Sequence, residues 1–158
     1  LSGNPTTRKE YDEGYVLLDA DRRMFHLKMV QGRPYVRAIA LPEGVRPEHL
    51  FITEYHSRRT LALLTDDRAR LYAVCMPGYE VRRVGGVSYD PERESISIIG
   101  TLLHWTVCVE GDSAERCYAV AADNLALLDT LSYPLSGRHL PGLAFTSSQD
   151  NYVRPRLR

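Results

Sequence analysis

The feature that most constrains the fold is a strand–turn–strand pattern that occurs twice. The segment Leu63–Val74, LLTDDRARLYAV, repeats the arrangement of Leu17–Lys28, LLDADRRMFHLK, at a spacing of 46 positions. In both copies, two acidic residues and two arginines separate apolar runs. Aspartate favours turns because its side chain hydrogen-bonds the backbone two residues on. The repeat therefore predicts one hairpin with a solvated tip, built twice, rather than a catalytic cluster used twice.

Short apolar or alternating runs separated by turn residues continue along the chain, and they predict three units of antiparallel meander. The predicted strands are Gly14–Ala20, Met24–Val30 and Pro34–Leu41 in the first unit, Thr60–Asp66, Arg70–Met76 and Tyr79–Val84 in the second, and Glu94–Gly100, Leu102–Val109 and Arg116–Ala122 in the third. A further strand is predicted before the second unit at His49–Tyr55 and before the third at Gly86–Asp90. The segment Ala121–Leu131 fits a short helix or a strand after a turn, and His139–Phe145 fits one more strand.

Four strands in every ~40 residues are typical of β-propeller blades. We therefore expect an all-β fold of antiparallel meander sheets, propeller-like, with three to four incomplete blades. A β-sandwich or a distorted barrel is the alternative, because so few blades do not easily close a ring. The expected organisation is a polar lead-in at 1–13, a single all-β domain at 14–146 and a basic tail at 147–158. Since the chain starts at Leu1, we expect it to be a piece of a longer protein.

Composition excludes several classes of function. Twenty basic residues balance twenty acidic ones among 158 residues, so no global field favours nucleic acid or an anionic membrane. No apolar run approaches the ~20 residues of a membrane-spanning helix. The three cysteines form no Cys-x-x-Cys pair, so we expect neither a metal site nor a cofactor.

No arrangement of residues predicts catalysis, and we expect a protein that is not an enzyme. The candidate carboxylates all lie in turn-like contexts, where they would be solvated with ordinary pKa values: Glu54, Asp66, Asp67, Glu92 and Glu94. The neighbours Glu54, His56 and Ser57 resemble a triad only in sequence, whereas a triad is assembled in space. A hydrolase built on His56 or His104 therefore ranks last.

Three ring side chains are predicted to be structural. His26 and His104 lie on apolar strands, and Tyr72 takes the place of His26 in the second copy of the repeat. Such histidines are more often packed, hydrogen-bonded rings than metal ligands. Trp105 is expected to anchor the core of the third unit.

Cys108 and Cys117 are predicted to face each other. If the loop Gly111–Ala114 closes a hairpin with Glu110 opposite Glu115, then Cys108 lies directly opposite Cys117, in a hydrogen-bonded pair of the wider-spaced kind. A disulfide is then geometrically allowed, and two buried free thiols are the alternative.

The tracts Thr7–Gly44 and Ser147–Arg158 carry a resemblance to a family of bacterial proteins known as domain of unknown function 4857. The resemblance implies a longer parent with membrane-spanning regions, found in Bacteroidetes-type bacteria beside ABC-transporter permeases. This chain would then be extracytoplasmic, on the periplasmic side of the inner membrane. The family has no established catalytic residues, so the resemblance implies no site.

The sequence leaves two main hypotheses for function. The first is a non-catalytic interaction module of a membrane-anchored protein that works with an ABC transporter, because loop edges of such sheets present binding surfaces. The loops expected to bind carry paired arginines: Arg22, Arg23, Arg58, Arg59, Arg82 and Arg83. The second is capture of a small ligand or saccharide on an aromatic platform formed by Tyr11, Tyr15, Tyr35, Tyr55, Tyr79, Tyr89 and Trp105.

Overall fold

The structure is a computed structural model. It describes residues 1–3, 12–55 and 57–135 in full, and the backbone of two further strands at 143–147 and 153–157. Within these residues the chain forms β-strands and no helix, so the predicted all-β class is confirmed. None of the described segments is therefore a helix of the length and apolarity needed to cross a bilayer.

Three four-stranded antiparallel sheets account for the first twelve strands. Sheet A contains β1 (Ser2–Gly3), β2 (Tyr15–Leu18), β3 (Met24–Val30) and β4 (Arg33–Ile39). Sheet B contains β5 (Pro47–Ile52), β6 (Thr60–Asp66), β7 (Arg70–Cys75) and β8 (Glu80–Ser88). Sheet C contains β9 (Ser95–Gly100), β10 (His104–Glu110), β11 (Ala114–Ala121) and β12 (Leu127–Pro134). β13 (Leu143–Ser147) pairs with β14 (Val153–Leu157). Within each sheet, strands that are consecutive in the chain are neighbours, which confirms the meander.

The boundaries of the third unit differ from the prediction. The separate strand expected at Gly86–Asp90 is wrong, because its first residues continue β8 in sheet B. The fourth strand of sheet C is instead β12, so Ala121–Leu131 is a turn followed by a strand. Equivalent strands then recur at 44 to 48 residues, as from Thr60 to His104 and from Pro47 to Ser95. This spacing is more regular than the one predicted.

The sheets stack face to face, with sheet B in the middle. One core joins sheets A and B, where Val16 and Met24 pack with Leu64 and Val74. A second core joins sheets B and C, with Trp105 buried in it as predicted, beside residues that include Leu63, Val84 and Val107. Every residue of β6 is buried, because Leu63 enters the core with sheet C while Leu61, Ala62 and Leu64 enter the core with sheet A. The stack is propeller-like and does not close into a barrel in the described residues.

The repeated turn is confirmed, and its geometry corrects the alignment of the two copies. Asp19 accepts hydrogen bonds from the backbone N–H groups of Asp21 and Arg23, at 2.9 and 2.8 Å, and from Nε of Arg23 at 2.7 Å. Asp66 accepts from the N–H groups of Arg68 and Arg70, at 3.1 and 2.9 Å, and from Nε of Arg70 at 2.7 Å.

The two turns therefore superpose at a spacing of 47 residues, from Asp19 to Asp66, and not 46. Arg22 and Ala69, also 47 apart, both have left-handed backbone, with φ of 60° and 55°. Ala73 thus takes the place of His26, and the predicted equivalence of His26 with Tyr72 is wrong. A slip of one residue moves each side chain to the other face of its sheet.

Sheets B and C approach each other closely at Gly85. A Cβ atom at this position would lie 2.9 Å from a methyl group of Val120 and 3.3 Å from the backbone of Leu127. Gly85 and Gly86 have φ of 38° and 74°, where β8 departs from regular pairing with β7. The Gly–Gly pair, read from the sequence as the break between two strands, is instead a kink within one strand.

We expect the two equivalent aspartates to differ in their contribution to stability. Asp66 has no exposed side-chain surface, whereas a quarter of the Asp19 side chain is exposed. Asp66→Asn should lower the free energy of unfolding by about 2–3 kcal/mol, since it weakens charge-assisted bonds in a buried turn. Asp19→Asn is the matched control and should cost less. Urea unfolding followed by circular dichroism measures both, and equal losses would contradict the assignment.

Candidate functional site

The six predicted arginines are divided between two ends of the stack. The upper end carries the β2–β3, β6–β7 and β10–β11 hairpins, and the lower end carries the β7–β8 and β9–β10 hairpins. Arg22 and Arg23 lie at the upper end, and Arg58 and Arg59 lie in the β5–β6 loop at the lower end. The remaining two, Arg82 and Arg83, lie inside β8, so their predicted place at a loop tip is wrong.

A groove of about 840 Å³ lies at the upper end, where sheets A and B meet. Its floor is apolar, and the chain between β4 and β5 forms one wall; the apolar residues are Met24, Phe25, Ala38, Ile39, Ala40, Leu41, Val45 and Pro47. Three arginines and one aspartate line it as well: Arg22, Arg23, Arg46 and Asp21. We call this feature the upper groove.

The charges around the upper groove are unevenly compensated. Arg22 contacts Glu48 at 3.5 Å with half of its side chain exposed, and Arg23 pairs with Asp19 at 2.7 Å. Arg46 has no ion-pair partner among the described residues. Arg23 also lies over the Phe25 ring, 6.0 Å from its centroid. The upper groove therefore combines an apolar floor with an arginine-bearing rim, on which Arg22 and Arg23 are ion-paired and Arg46, among the described residues, is not.

A cleft of about 560 Å³ lies at the lower end, between sheets B and C. Trp105 and Leu125 line it on the sheet C side, and Arg59, Cys75 and Arg82 line it on the sheet B side. We call this feature the lower cleft. Burial raises the pKa of the Cys75 thiol, which is the free cysteine of the chain. A neutral thiol is a poor nucleophile, so Cys75 does not make the lower cleft reactive.

The predicted aromatic platform does not form among the described residues. Tyr79 lies in the core between sheets A and B, and Tyr89 lies in the core between sheets B and C. Tyr55 and Trp105 do pair, with ring centroids 5.7 Å apart, beside the lower cleft. Tyr11 lies outside the described residues.

His26 lies at the centre of a buried polar network between sheets A and B. Its Nε2 is 2.5 Å from the carbonyl oxygen of Glu13, and its Nδ1 is 2.8 Å from the hydroxyl of Tyr79. A carbonyl only accepts, so Nε2 carries the proton and Nδ1 accepts from the Tyr79 hydroxyl. The prediction of a packed, hydrogen-bonded ring is confirmed for His26. It is wrong for His104, which is exposed on the outer face of sheet C.

The surroundings of His26 and Tyr79 favour the uncharged form of both rings. Burial lowers the pKa of His26, and the nearby charge of Lys28 adds to the effect, against the opposing hydrogen bond to Glu13. Burial and a hydrogen bond with Tyr35 raise the pKa of Tyr79 to about 12. Above this pair, the Arg37 guanidinium lies 4.8 Å from the centroid of the Tyr79 ring.

Glu13 closes the network on the side of the lower end. Burial opposes ionisation of its carboxyl, but hydrogen bonds and charge from Arg58 and Lys28 outweigh it and lower the pKa. Arg58 donates to Oε1 of Glu13 through Nε at 2.9 Å and through a second, shorter contact from Nη2. Arg58, in the β5–β6 loop of sheet B, therefore contacts the segment between β1 and β2 of sheet A.

Cys108 and Cys117 form a disulfide across β10 and β11, with their Cα atoms 4.1 Å apart. The predicted register is confirmed, since Glu110 lies opposite Glu115. The predicted kind of pair is wrong. Because the Gly111 N–H donates to the carbonyl of Ala114, the pairs alternate so that the cysteines occupy a close, non-hydrogen-bonded pair.

The disulfide also prevents one cluster of potential metal ligands from binding a metal. The carboxylate of Glu115 and the two sulfur atoms lie within 4.8 Å of one another. Both sulfurs are bonded to each other, so neither is a thiolate that could bind a metal.

The carboxylates considered for acid–base chemistry are not assembled into one site. Asp66 is buried in its turn, where burial opposes ionisation but bonds from Arg70 and Arg68 lower its pKa, so its predicted solvation is wrong. Glu94 accepts from the Asp90 N–H at 2.9 Å and pairs with Arg116. His56 lies outside the described residues.

Comparison with known proteins places the chain in a family. Residues 1–120 match the family described as Domain of unknown function (DUF4857). The chain belongs to this family. No curated protein and no solved structure matches the chain. The DUF4857 match confirms the resemblance found in the sequence, and it spans sheets A and B with most of sheet C.

The upper groove and the lower cleft differ in how much of each falls within the DUF4857 match. The upper groove lies entirely inside it, since its last lining residue is Pro47. The lower cleft extends beyond it through Ala122, Asp123 and Leu125. Of these two features, the upper groove is the one that lies completely within the DUF4857 match.

We expect stability to fall as the pH drops from 7 to 5, and His26 to be the cause. Its pKa in the folded protein lies below the unfolded value of about 6.5, so the unfolded state binds the proton more readily. Its contribution is therefore complete above about pH 6.5 and is lost as the pH falls below that value. His26→Gln, whose amide can donate and accept, should flatten this dependence.

The measurement is the urea midpoint at several pH values for wild type, His26→Gln and His104→Gln. His104 is exposed, so its variant should keep the wild-type slope. An unchanged slope in His26→Gln would contradict the assignment.

Proposed function

We propose that this chain is a non-catalytic, extracytoplasmic interaction module of a membrane-anchored protein, and that it binds a component of an ABC transporter through the upper groove. The observation that carries the proposal is the composition of that groove. An apolar floor within a rim of Arg22, Arg23 and Arg46 suits a protein segment that combines apolar anchors with acidic side chains. It has few of the buried polar groups that a small-molecule site needs to orient its ligand.

The disulfide supports an extracytoplasmic location. Cross-links such as Cys108–Cys117 persist in oxidising compartments and are rare in the reducing cytosol. The bond joins residues nine positions apart, so it reinforces one hairpin. The membrane-anchored parent and the transporter permease come from the family resemblance, and they belong to the proposal on that ground.

The lack of histidine at either opening, among the described residues, is also consistent with this proposal. Neither the upper groove nor the lower cleft is lined by a histidine in the described part of the chain. The buried histidine of that part, His26, uses both ring nitrogens in hydrogen bonds within the core. Without a histidine, neither site holds the side chain whose ordinary pKa best suits general acid–base chemistry near neutral pH.

Site-specific photo-cross-linking tests this proposal in the parent protein within its native membrane. A photoreactive residue at Ala40 in the upper groove should cross-link a transporter permease, identified by mass spectrometry. The same residue at Asp112, exposed at the upper end but outside the groove, should not. The variant Arg22→Glu/Arg46→Glu should reduce the Ala40 product by about tenfold, because reversed rim charges oppose encounter with an acidic partner.

Arg93→Glu is the matched charge reversal, since Arg93 is an exposed arginine far along the chain from the groove. It should leave the Ala40 product unchanged. Equal cross-linking from Ala40 and Asp112, or a product insensitive to the double reversal, would count against the upper groove. To test location, a membrane-impermeant cross-linker applied to spheroplasts should give the same partner.

The lower cleft favours a second candidate function, which is binding of a saccharide or another small ligand. The observation behind it is the Tyr55–Trp105 pair beside an opening that also holds Arg59 and Arg82. Aromatic faces with a few polar groups are the usual composition of such sites. Arg82 already bonds Glu80 at 2.5 Å and the Asp123 carbonyl at 3.4 Å, which leaves it less available to a ligand.

Trp105 is the single tryptophan, so its fluorescence reports directly on the lower cleft. Titration with neutral and acidic oligosaccharides should shift the emission if the second candidate is correct, and Arg82→Ala should weaken binding of the acidic ones. Arg93→Ala is the control. An emission spectrum unchanged by either kind of oligosaccharide would exclude saccharide binding at this cleft.

A further inference from the structure

We propose that two copies of this chain assemble head to tail, with the outer face of sheet A in each copy packed on the outer face of sheet C in the other. Three sheets from each copy would then close a ring of six. This assembly goes beyond the proposed function, because it concerns the outer faces of sheets A and C; of the upper-groove lining it shares Phe25 and Arg23.

The outer face of sheet A is built of uncharged, mostly apolar side chains. Strand pairing aligns six of them on the side turned away from sheet B: Tyr15, Leu17, Phe25, Leu27, Met29 and Val36. Met29 and Val36 are 65% and 62% exposed. A contiguous apolar face of this kind marks an interaction site on a protein surface.

The repeat shows what such a face is built to contact. With the turns aligned at Asp19 and Asp66, Leu17, Phe25 and Leu27 take the positions of Leu64, Tyr72 and Val74 in sheet B. Those three residues are buried against sheet A. The outer face of sheet A thus has the same position as, and a similar composition to, the face of sheet B that packs on sheet A. It therefore suits packing against another sheet of the repeat.

The complementary face is the outer face of sheet C, the side turned away from sheet B. On the outer side of sheet C, strand pairing aligns Ile99, Thr106, Cys108, Cys117 and Leu131 with polar neighbours that include Ser97, His104 and Asp129. Ile99 is 73% exposed and Leu131 is 52% exposed. This face corresponds in position to the side of sheet B that packs on sheet C, although it is more polar, so a second copy can continue the stack in the same geometry.

Charge at the upper end agrees with this arrangement. Glu110 and Glu115 lie opposite each other at the upper edge of the outer face of sheet C, although like charges facing each other are unfavourable. Arg23, over the ring of Phe25, occupies the upper edge of the outer face of sheet A. Sheets A, B and C stack with their upper ends together, so a second copy continuing the stack would bring these glutamates near Arg23, which within its own copy pairs with Asp19 and Asp21.

The available area is sufficient for a stable dimer. At about 3.3 Å per residue and about 4.8 Å between strands, the 20 strand residues of sheet A and the 29 of sheet C present faces of about 320 and 460 Å². A closed ring uses two such faces in each copy, or about 800 Å², which is the usual burial per partner. Six blades lie within the range in which propellers close. A dimer with only one contact between sheets A and C would leave the sheet A face of one copy and the sheet C face of the other uncovered.

Sedimentation equilibrium of the 158-residue chain tests the proposal. We expect twice the mass of the 17.9 kDa chain. Leu27→Glu and Ile99→Glu each place a charge in both interfaces of the ring and should each raise the dissociation constant by about a hundredfold. Leu102→Glu, at an exposed leucine of the β9–β10 hairpin, is the matched control and should stay dimeric.

Mixing the two variants identifies the pairing of faces. The Leu27→Glu copy has an intact sheet C face and the Ile99→Glu copy has an intact sheet A face, so the mixture should recover a heterodimer with one intact interface. Circular dichroism checks that each variant is folded. A wild-type monomer at about 100 μM would overturn the proposal, as would a dimer of Ile99→Glu as tight as the wild type. Photo-cross-linking at Ala40 reads out the upper groove separately, so either result leaves the proposed function to its own test.

Discussion

The structure depends on the burial of both faces of sheet B. A strand with one solvated face alternates polar and apolar residues, whereas a strand buried on both faces reads as a continuous apolar run. β6, with the sequence TLALLTD, is such a run, and its one acid, Asp66, is neutralised by Arg70 at the end of the strand. Because sheet B supplies one face to each core, sheets A and C take their positions from it. The upper groove and the lower cleft then lie at the two seams, where the hairpins of neighbouring sheets diverge.

The strands were predictable because turn residues mark their ends, and β3 and β6 have the predicted limits. The alignment of the repeat between sheets A and B was harder to predict. The sequence repeat aligns best at 46 residues because the letters of Leu17–Leu18 match those of Leu63–Leu64. The structure aligns at 47, because the aspartate that caps the turn sets the register. Similarity of letters reports composition, whereas register depends on which carboxylate accepts the hydrogen bonds, and a slip of one residue exchanges the two faces.

The candidate sites show the same limit. Opposition of Cys108 and Cys117 followed from loop length alone, but the kind of pair required knowing which loop residues bond to each other. Arg22 and Arg23 were predictable as exposed tip residues. Arg46, which completes the rim of the upper groove, lies in the connection between two sheets and carries no pattern of its own. A single sequence does not show that this connection lies beside the β2–β3 hairpin, because the contact depends on how sheet A packs on sheet B.

Three similar sheets with purely apolar faces could stack in more than one order, so something must distinguish the two interfaces. Between sheets A and B, His26 bonds Tyr79 and the backbone carbonyl of Glu13, and the bond to Tyr79 forms where sheet A packs on the side of sheet B that carries Tyr79. Between sheets B and C, the approach at Gly85 requires a position without a side chain. An Ala73 in place of His26 leaves sheet B without the network on the side that faces sheet C. Polar groups that are satisfied in one pairing oppose the others, because a misplaced imidazole or phenol would be buried without a partner. The order of the sheets is therefore specified by the few residues in which the repeats differ, while the residues they share supply the burial.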